Sequence, residues 1–253
     1  MTKKRKSKLS FSALFIGLII GIIAGRNIPQ TWAYHDKTIE SPFHAQESPL
    51  PGQPISSFVI HRPGYSLAYD ARNRNPAWVY EHLTAESIRG ETERSLEFKE
   101  DEAIPKPLRA TLADYKGSGF DRGHQAPAGD HKSSHEAMYD TFYMTNMCPQ
   151  CPQLNRGYWA KLEKYVRDLT KDHANVYVVT GPLYLPSVEA DGKKYVKFQV
   201  IGPNDVAVPT HFFKIITLDD WQGMQETQAY ILPNEEIAAK TPFDCFWKSK
   251  IER

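Results

Sequence analysis

The sequence predicts an α+β domain in which strands enclose at least one central helix. Three observations carry this. Short apolar runs between residues 57 and 83 are punctuated by turn residues. Tyr158, Trp159, Leu162, Tyr165, Val166 and Leu169 recur at three- and four-residue spacing, the period of a helix with one buried face. Further strand-like runs follow that helix with no internal repeat. Eighteen prolines and 12% aromatic residues also suit short strands and loops better than a helical bundle.

The chain of 253 residues has room for one sizeable domain and a tail. Lys3, Lys4, Arg5, Lys6, Lys8 and Arg26 precede the first acid, Asp36. Taking these six cations from a net charge of +1 leaves the remainder at −5, so overall charge gives no support for nucleic-acid binding and any phosphate site must be a local cationic patch. Residues 9–25 (LSFSALFIGLIIGIIAG) are uncharged. As a helix they span about 25 Å, near the lower limit for a bilayer. With its basic flank, the segment 1–26 reads as a single-pass anchor, the basic end staying inside and the rest beyond the membrane. A cleaved signal is the other reading, although Ile23-Ala24-Gly25 is a poor cleavage site. A bacterial periplasmic or outer face and the mitochondrial intermembrane space both fit. Residues 27–55, with Pro29, Pro42, Pro49, Pro51 and Pro54, read as a flexible linker, and residues 56–253 as the globular domain.

Within that domain, SFVIH, YSLAYD and AWVYEHL form an expected meander, with turns at Pro63-Gly64 and at Asn73-Arg74-Asn75-Pro76. Residues 84–117 are charged and irregular and read as a long surface segment. Residues 133–140 predict a short helix, TFYMTN a short strand, and 155–171 the main helix. NVYVVTG, KYVKFQVIG, VAVPTHFFKIITL and ETQAYILP follow as strands. Several lack clean alternation, which predicts burial on both faces.

The chemistry concentrates in Asp121-Arg122-Gly123-His124 and in the helix. Asn155, Trp159 and Glu163 are spaced four apart, which on an α-helix puts them along one broad face. Cleaving a phosphodiester needs a group to take a proton from water and a hard cation to neutralise charge on the phosphoryl and leaving oxygens. His124 suits the base, since imidazole titrates near neutral pH. Mg²⁺ prefers oxygen ligands and keeps several waters, so few protein ligands suffice. The Asn155 amide oxygen suits direct ligation and Glu163 suits holding the cation's waters. Arg122, and more loosely Arg94, suit phosphate.

GSGFDRGHQAPAGDH (117–131), DTFYMTNMCPQ (140–150), LNRGYWAKLE (154–163), TGPLYLP (180–186) and VAVPTHFFKI (207–215) occur in that order. In these the chain resembles the DNA/RNA non-specific endonuclease family of the ββα-metal type, and its endonuclease G branch, from about residue 56 onward. The resemblance implies the ββα-metal nuclease fold, with mixed or antiparallel sheets around a central helix bearing the metal ligand. It implies His124 as general base, Asn155 as direct ligand of a single Mg²⁺ (Mn²⁺ able to substitute), and Glu163 as the residue ordering its water. Arg122 then lies near the scissile phosphate, Arg94 further out on phosphate, and Asn146 behind the site. Asp121 belongs to the motif, where a structural hydrogen-bonding role and a catalytic one are both open. DNA and RNA substrates, 5′-phosphate products and a homodimer are implied too. Cys148 and Cys151 depart from the branch's pattern, as does the early end at Ile251-Glu252-Arg253.

Other readings compete. His131-x3-His135 followed by Cys148-Pro-Gln-Cys151 has zinc-finger spacing in reverse order, which makes a membrane-tethered zinc- or nucleic-acid-binding module without activity the alternative function. The same cysteines could form a local disulfide in an oxidising compartment. A thioredoxin-like pair would instead sit directly at a helix start after a strand.

Overall fold

The expected meander folds as three antiparallel strands, β1 (Phe58–His61), β2 (Tyr65–Asp70) and β3 (Asn75–Leu83). A short helix α1 (Leu112–Tyr115) follows, then the paired strands β4 (Asp121–His124) and β5 (Met147–Gln150), with helix α2 (His135–Asp140) between them. The main helix, with α3 (Ala160–Leu169) as its second part, leads into β6 (Asn175–Leu183). Four two-residue strands come next: β7 (Ser187–Val188), β8 (Lys194–Tyr195), β9 (Val200–Ile201) and β10 (Val206–Ala207). The chain closes with β11 (His211–Asp219), β12 (Gln225–Pro233) and β13 (Trp247–Glu252). The computed structural model describes residues 58–94, 97–219 and 225–252. The anchor expected at 1–26 and the linker at 27–55 lie outside them. Among the described residues no helix is long and apolar enough to cross a membrane.

Seven strands make one antiparallel sheet in the order β1-β2-β3-β6-β11-β12-β13. The pair β4–β5 stands apart, inside the long connection from β3 to β6. The sheet's inward row runs Val79, Glu81 and Leu83 on β3, Val176, Val178 and Thr180 on β6, and Phe212, Lys214, Ile216 and Leu218 on β11, all buried. Leu154, Tyr158, Trp159, Leu162 and Val166 pack onto the β6–β12 half of this row. Fully burying side chains of this size stabilises by roughly 1.5–3 kcal/mol each.

Several expectations need correction. TFYMTN is a helical turn at Met144–Asn146 that leads into β5, and not a strand. KYVKFQVIG breaks into β8 and β9 around exposed residues, and VAVPTHFFKIITL breaks between β10 and β11. The long strands are not fully buried on both faces, for β11 alternates buried and half-buried residues throughout. Residues 84–117 are irregular but not wholly superficial: Asp101, Ile104, Ala110, Asp114 and Tyr115 are buried.

The helix also departs from expectation. Leu154–Trp159 form a π-helical stretch before α3 begins at Ala160. A π turn takes more residues than an α turn, so it changes which side chains share a face. Asn155 and Glu163 both line a pocket, whereas Trp159 turns away and is fully buried in the core. The three therefore do not share one face.

Candidate active site

The pocket, about 520 Å³, lies where β4 meets the helix. Arg94, Phe98, Asp121, Arg122, His124, Asn155, Arg156, Glu163 and Arg167 line it, with Pro127–Gly129 and Ala160 completing the wall. Four arginines face two carboxylates there. The local cationic patch that overall charge could not reveal is thus present.

β4 owes its position to β5. Gly123 lies opposite Cys148, and a Cβ on Gly123 would come within 2.2 Å of the Gln150 side chain. Glycine is required there for the motif to lie flat on its partner strand. Asn146 then fixes the chain beyond His124. Its Oδ1 accepts from the Ala126 amide at 2.9 Å, and its Nδ2 donates to the carbonyls of Ala126 at 2.9 Å and Thr141 at 2.8 Å. Asn146 is buried, does not line the pocket, and has its amide fully engaged. It positions backbone, which fits its expected place behind the site and gives it no contact with a reacting group.

His124 is 7% exposed, between Phe98 (ring centroids 5.6 Å apart) and Phe142 (4.9 Å, edge-on). The Arg122 guanidinium lies 4.2 Å over Phe98 and that of Arg94 lies 5.7 Å over Phe142. Two arginines and two aromatic rings thus bracket the imidazole. Burial pushes the His124 pKa down to about 3, and the charges of Arg94 and Arg122 act in the same direction. The ring is therefore neutral with a free lone pair, but burial and the two arginines make it a weaker base than a free imidazole, and an anionic phosphate beside it would oppose that effect. Nε2 is enclosed without a partner, which leaves Nδ1 as the nitrogen open to the pocket.

Across the pocket, Asn155 Nδ2 donates to Asp121 Oδ2 at 2.8 Å. Arg156 holds the same carboxylate by two bonds, Nε to Oδ2 at 2.8 Å and Nη2 to Oδ1 at 2.6 Å. Burial raises the Asp121 carboxyl, but the hydrogen bonds from Arg156 and Asn155 outweigh it and hold its pKa below the ordinary value. An ionised carboxylate can only accept, so the orientation of the Asn155 amide is determined and Oδ1 is left for a cation. Glu163, two turns along, is pushed by burial up to about 7, with Lys214 opposing and Asp130 adding to the rise. A divalent cation nearby would favour its ionised form. One amide oxygen and one carboxylate on the same wall fit a hard, largely hydrated cation.

Behind the pocket lies a buried polar layer that sequence reasoning missed. Lys214 is 1% exposed and donates to Thr180 Oγ1 at 2.6 Å, Arg167 donates to Asp130 at 2.6 Å, and His131 Nε2 meets Glu81 at 2.9 Å. This last contact corrects the zinc reading. His131 is committed to Glu81, and Gly64 packs against its other nitrogen so closely that a Cβ there would lie 2.4 Å from Nδ1. Cys148 is a buried thiol, Cys151 Sγ donates to Gln153, and neither is in a disulfide. Among the described residues no group of three or more His, Cys, Asp or Glu is placed to hold a metal. Arg156 and Arg167 were also missed, although Arg156 follows Asn155 directly and was open to notice. Phe98 and Phe142 gave no comparable signal.

Residues 44–251 match the model of a family described as DNA/RNA non-specific endonuclease. The chain is 52% identical over 196 residues to the mitochondrial endonuclease G of Homo sapiens, covering 77% of this chain and 66% of that protein. It is 48% identical over 191 residues to nuclease C1 of Cunninghamella echinulata, covering 74% and 75%. A crystal structure of an EndoG/EndoGI complex superposes with a TM-score of 0.74 at 47% identity, covering 76% of this chain and 80% of that one. The chain thus spans just under two thirds of the length of the human relative.

Proposed function

The chain belongs to the DNA/RNA non-specific endonuclease family, and on that premise we propose that it is a metal-dependent endonuclease that hydrolyses phosphodiester bonds within DNA and RNA. The observation that carries this is the pairing, across one arginine-rich pocket, of a neutral His124 with an Asn155 amide whose Nδ2 is held by Asp121.

In this reading His124 Nδ1 takes a proton from the attacking water. Arg122 and Arg94 hold the phosphate, and the rings they stack on fix the angle between phosphate and base. Asn155 Oδ1 would hold Mg²⁺, or Mn²⁺ in its place, and Glu163 would hold the cation's water shell. The cation, when bound, supplies positive charge where negative charge grows on the phosphoryl and leaving oxygens. Asp121 orients Asn155, and Arg156 fixes Asp121. Asn146 holds the loop behind His124. With the 3′ oxygen placed opposite the attacking water, breaking the P–O3′ bond would leave a 3′-hydroxyl on one fragment and a 5′-phosphate on the other. Contacts of this kind read the backbone and leave base sequence unread.

The test is incubation of the full chain with supercoiled plasmid and with RNA, in Mg²⁺ or in EDTA. Nicking of both only with Mg²⁺ is expected; a folded protein that cuts neither would overturn the reading.

Two further features belong to the proposal. Leu185, Val188, Tyr195, Val196, Phe198 and Val200 are exposed within one segment, and an apolar surface of this kind suits a homodimer interface. Val188→Lys with Val196→Glu should then shift the sedimenting species from dimer to monomer. Residues 1–26 would anchor the domain beyond a membrane, as their charge pattern suggests. Full-length protein that carbonate washing releases with those residues intact would exclude the anchor.

A further inference from the structure

We propose that a second cavity beside the pocket is a nucleobase subsite, which receives the base of a nucleotide flanking the scissile phosphate. The inference rests on the nuclease reading above. The cavity is about 370 Å³, lined by Leu112, Tyr115, Lys116, Phe120, Asp121 and Arg122. Asp121 and Arg122 line the catalytic pocket too, so the two hollows share a wall. A chain cut internally has a nucleotide on each side of the reacting phosphate, and a hollow behind the phosphate-holding arginine lies on its path.

The composition fits that occupant. Leu112, Tyr115 and Phe120 supply apolar and aromatic lining and Lys116 and Arg122 supply positive charge, while the Asp121 carboxylate is already paired with Arg156. Sequence-tolerant binding of single strands uses this combination, an aromatic face for the base and a cation for its phosphate. Every base has such a face, so the subsite takes DNA and RNA alike.

The cavity is also preformed. Gly117 (φ 70°) and Gly119 (φ 83°) take left-handed backbone that brings Lys116 and Phe120 to the same hollow. A Cβ at either glycine would meet nothing within 4 Å, so the requirement is for the turn and not for space. Ser118 pins the turn: its amide and hydroxyl both donate to the Tyr115 carbonyl, at 3.2 and 2.9 Å, and its hydroxyl accepts from the Phe120 amide at 3.1 Å. Phe120 packs from behind on the cluster containing Tyr115, Met144 and Met147.

The test is fluorescence anisotropy of the full chain in EDTA with labelled oligothymidylate and with the same strand made abasic throughout. Base stacking on a ring contributes about 1–3 kcal/mol per base, so Phe120→Leu should weaken base-bearing binding about 5- to 150-fold and abasic binding by less than about twofold. Because Phe120 also packs in the core, Leu112→Trp provides a surface change that fills the same hollow, and the same selective loss is expected. Lys116→Ala should weaken both strands alike and lower the log–log salt slope by about 0.7, the single-strand value for one phosphate contact. A base advantage that survives both Phe120→Leu and Leu112→Trp, or an equal loss on both strands, would overturn the subsite while plasmid cleavage persists. A wild-type chain that binds neither strand and cuts no plasmid would overturn the nuclease reading itself.

Discussion

Asn155 donates to Asp121 at 2.8 Å, and the carboxylate on which it rests is gripped a second time by Arg156. The cation's proposed ligand is thus held by a residue that need not touch the cation. Removing a group that orients a metal ligand typically costs 10- to 100-fold in affinity. Asp121→Ala is therefore expected to raise the Mg²⁺ concentration for half-maximal cleavage by about that factor. A titration that superimposes on wild type would show that Asp121 orients nothing.

Asn155→Ala is expected to be more severe than Asp121→Ala in the same titration, since a direct ligand disappears. Glu163→Gln is expected to be milder, because an amide still holds water but lacks charge. Identical Mg²⁺ and Mn²⁺ curves for wild type and Asn155→Ala would remove Asn155 from the cation site.

His124→Ala is expected to slow cleavage by at least about 10²–10⁴-fold, the range for losing a general base. Near-normal turnover in a variant that melts like wild type would take His124 out of the mechanism.

The same residue makes a pH prediction. Its folded pKa of about 3 lies below the value of 6.5 for an unburied histidine. The unfolded chain therefore binds the extra proton first. The stability contributed by the neutral ring is complete above pH 6.5 and is lost as pH falls towards 3, by about 1.4 kcal/mol per pH unit. His124→Asn should lose less stability than wild type between pH 7.5 and 5, read from urea midpoints. Ring-proton NMR shifts should stay constant across that interval, and a midpoint near 6.5 would contradict the buried, neutral assignment.

Lys214→Met is expected to destabilise the fold by roughly 3–5 kcal/mol, because it removes a buried cation facing Glu81, Asp130 and Glu163 and leaves only His131 and Arg167 to balance them. An unchanged thermal midpoint would mean that this layer is neutral in the native protein.

The groups whose chemistry is written in residue type were legible in the sequence. His124, Asn155, Glu163, Arg122 and Arg94 all line one pocket. Phe98 and Phe142 were not, because only tertiary folding of irregular segments brings them to His124. Lys214 was hidden for a different reason. In HFFKIITLD the row of Phe212, Ile216 and Leu218 is the more apolar one, but Lys214 stands in the middle of it, and residue type alone gives a lysine no place in a core. Thr180 on the adjacent strand and Glu81 one strand further make the inward position acceptable to it. The π-helical stretch was invisible because the apolar spacing that marks the helix, from Tyr158 to Leu169, lies at its end and beyond it and carries no sign of the wider turn before.

That stretch divides the helix into two reading frames. From Ala160 onward the frame is set by burial against the sheet; before it, Asn155 is set by the pocket. The extra residue acts as a phase shifter, allowing a ligand and a core anchor to occupy positions that a uniform helix would force into competition. Point substitutions along the first segment change side chains and keep the phase. Deleting a single residue there, even Gly157, around which a Cβ would meet nothing within 4 Å, would shift everything upstream by about 100° around the axis. Length, more than composition, is what this segment cannot vary.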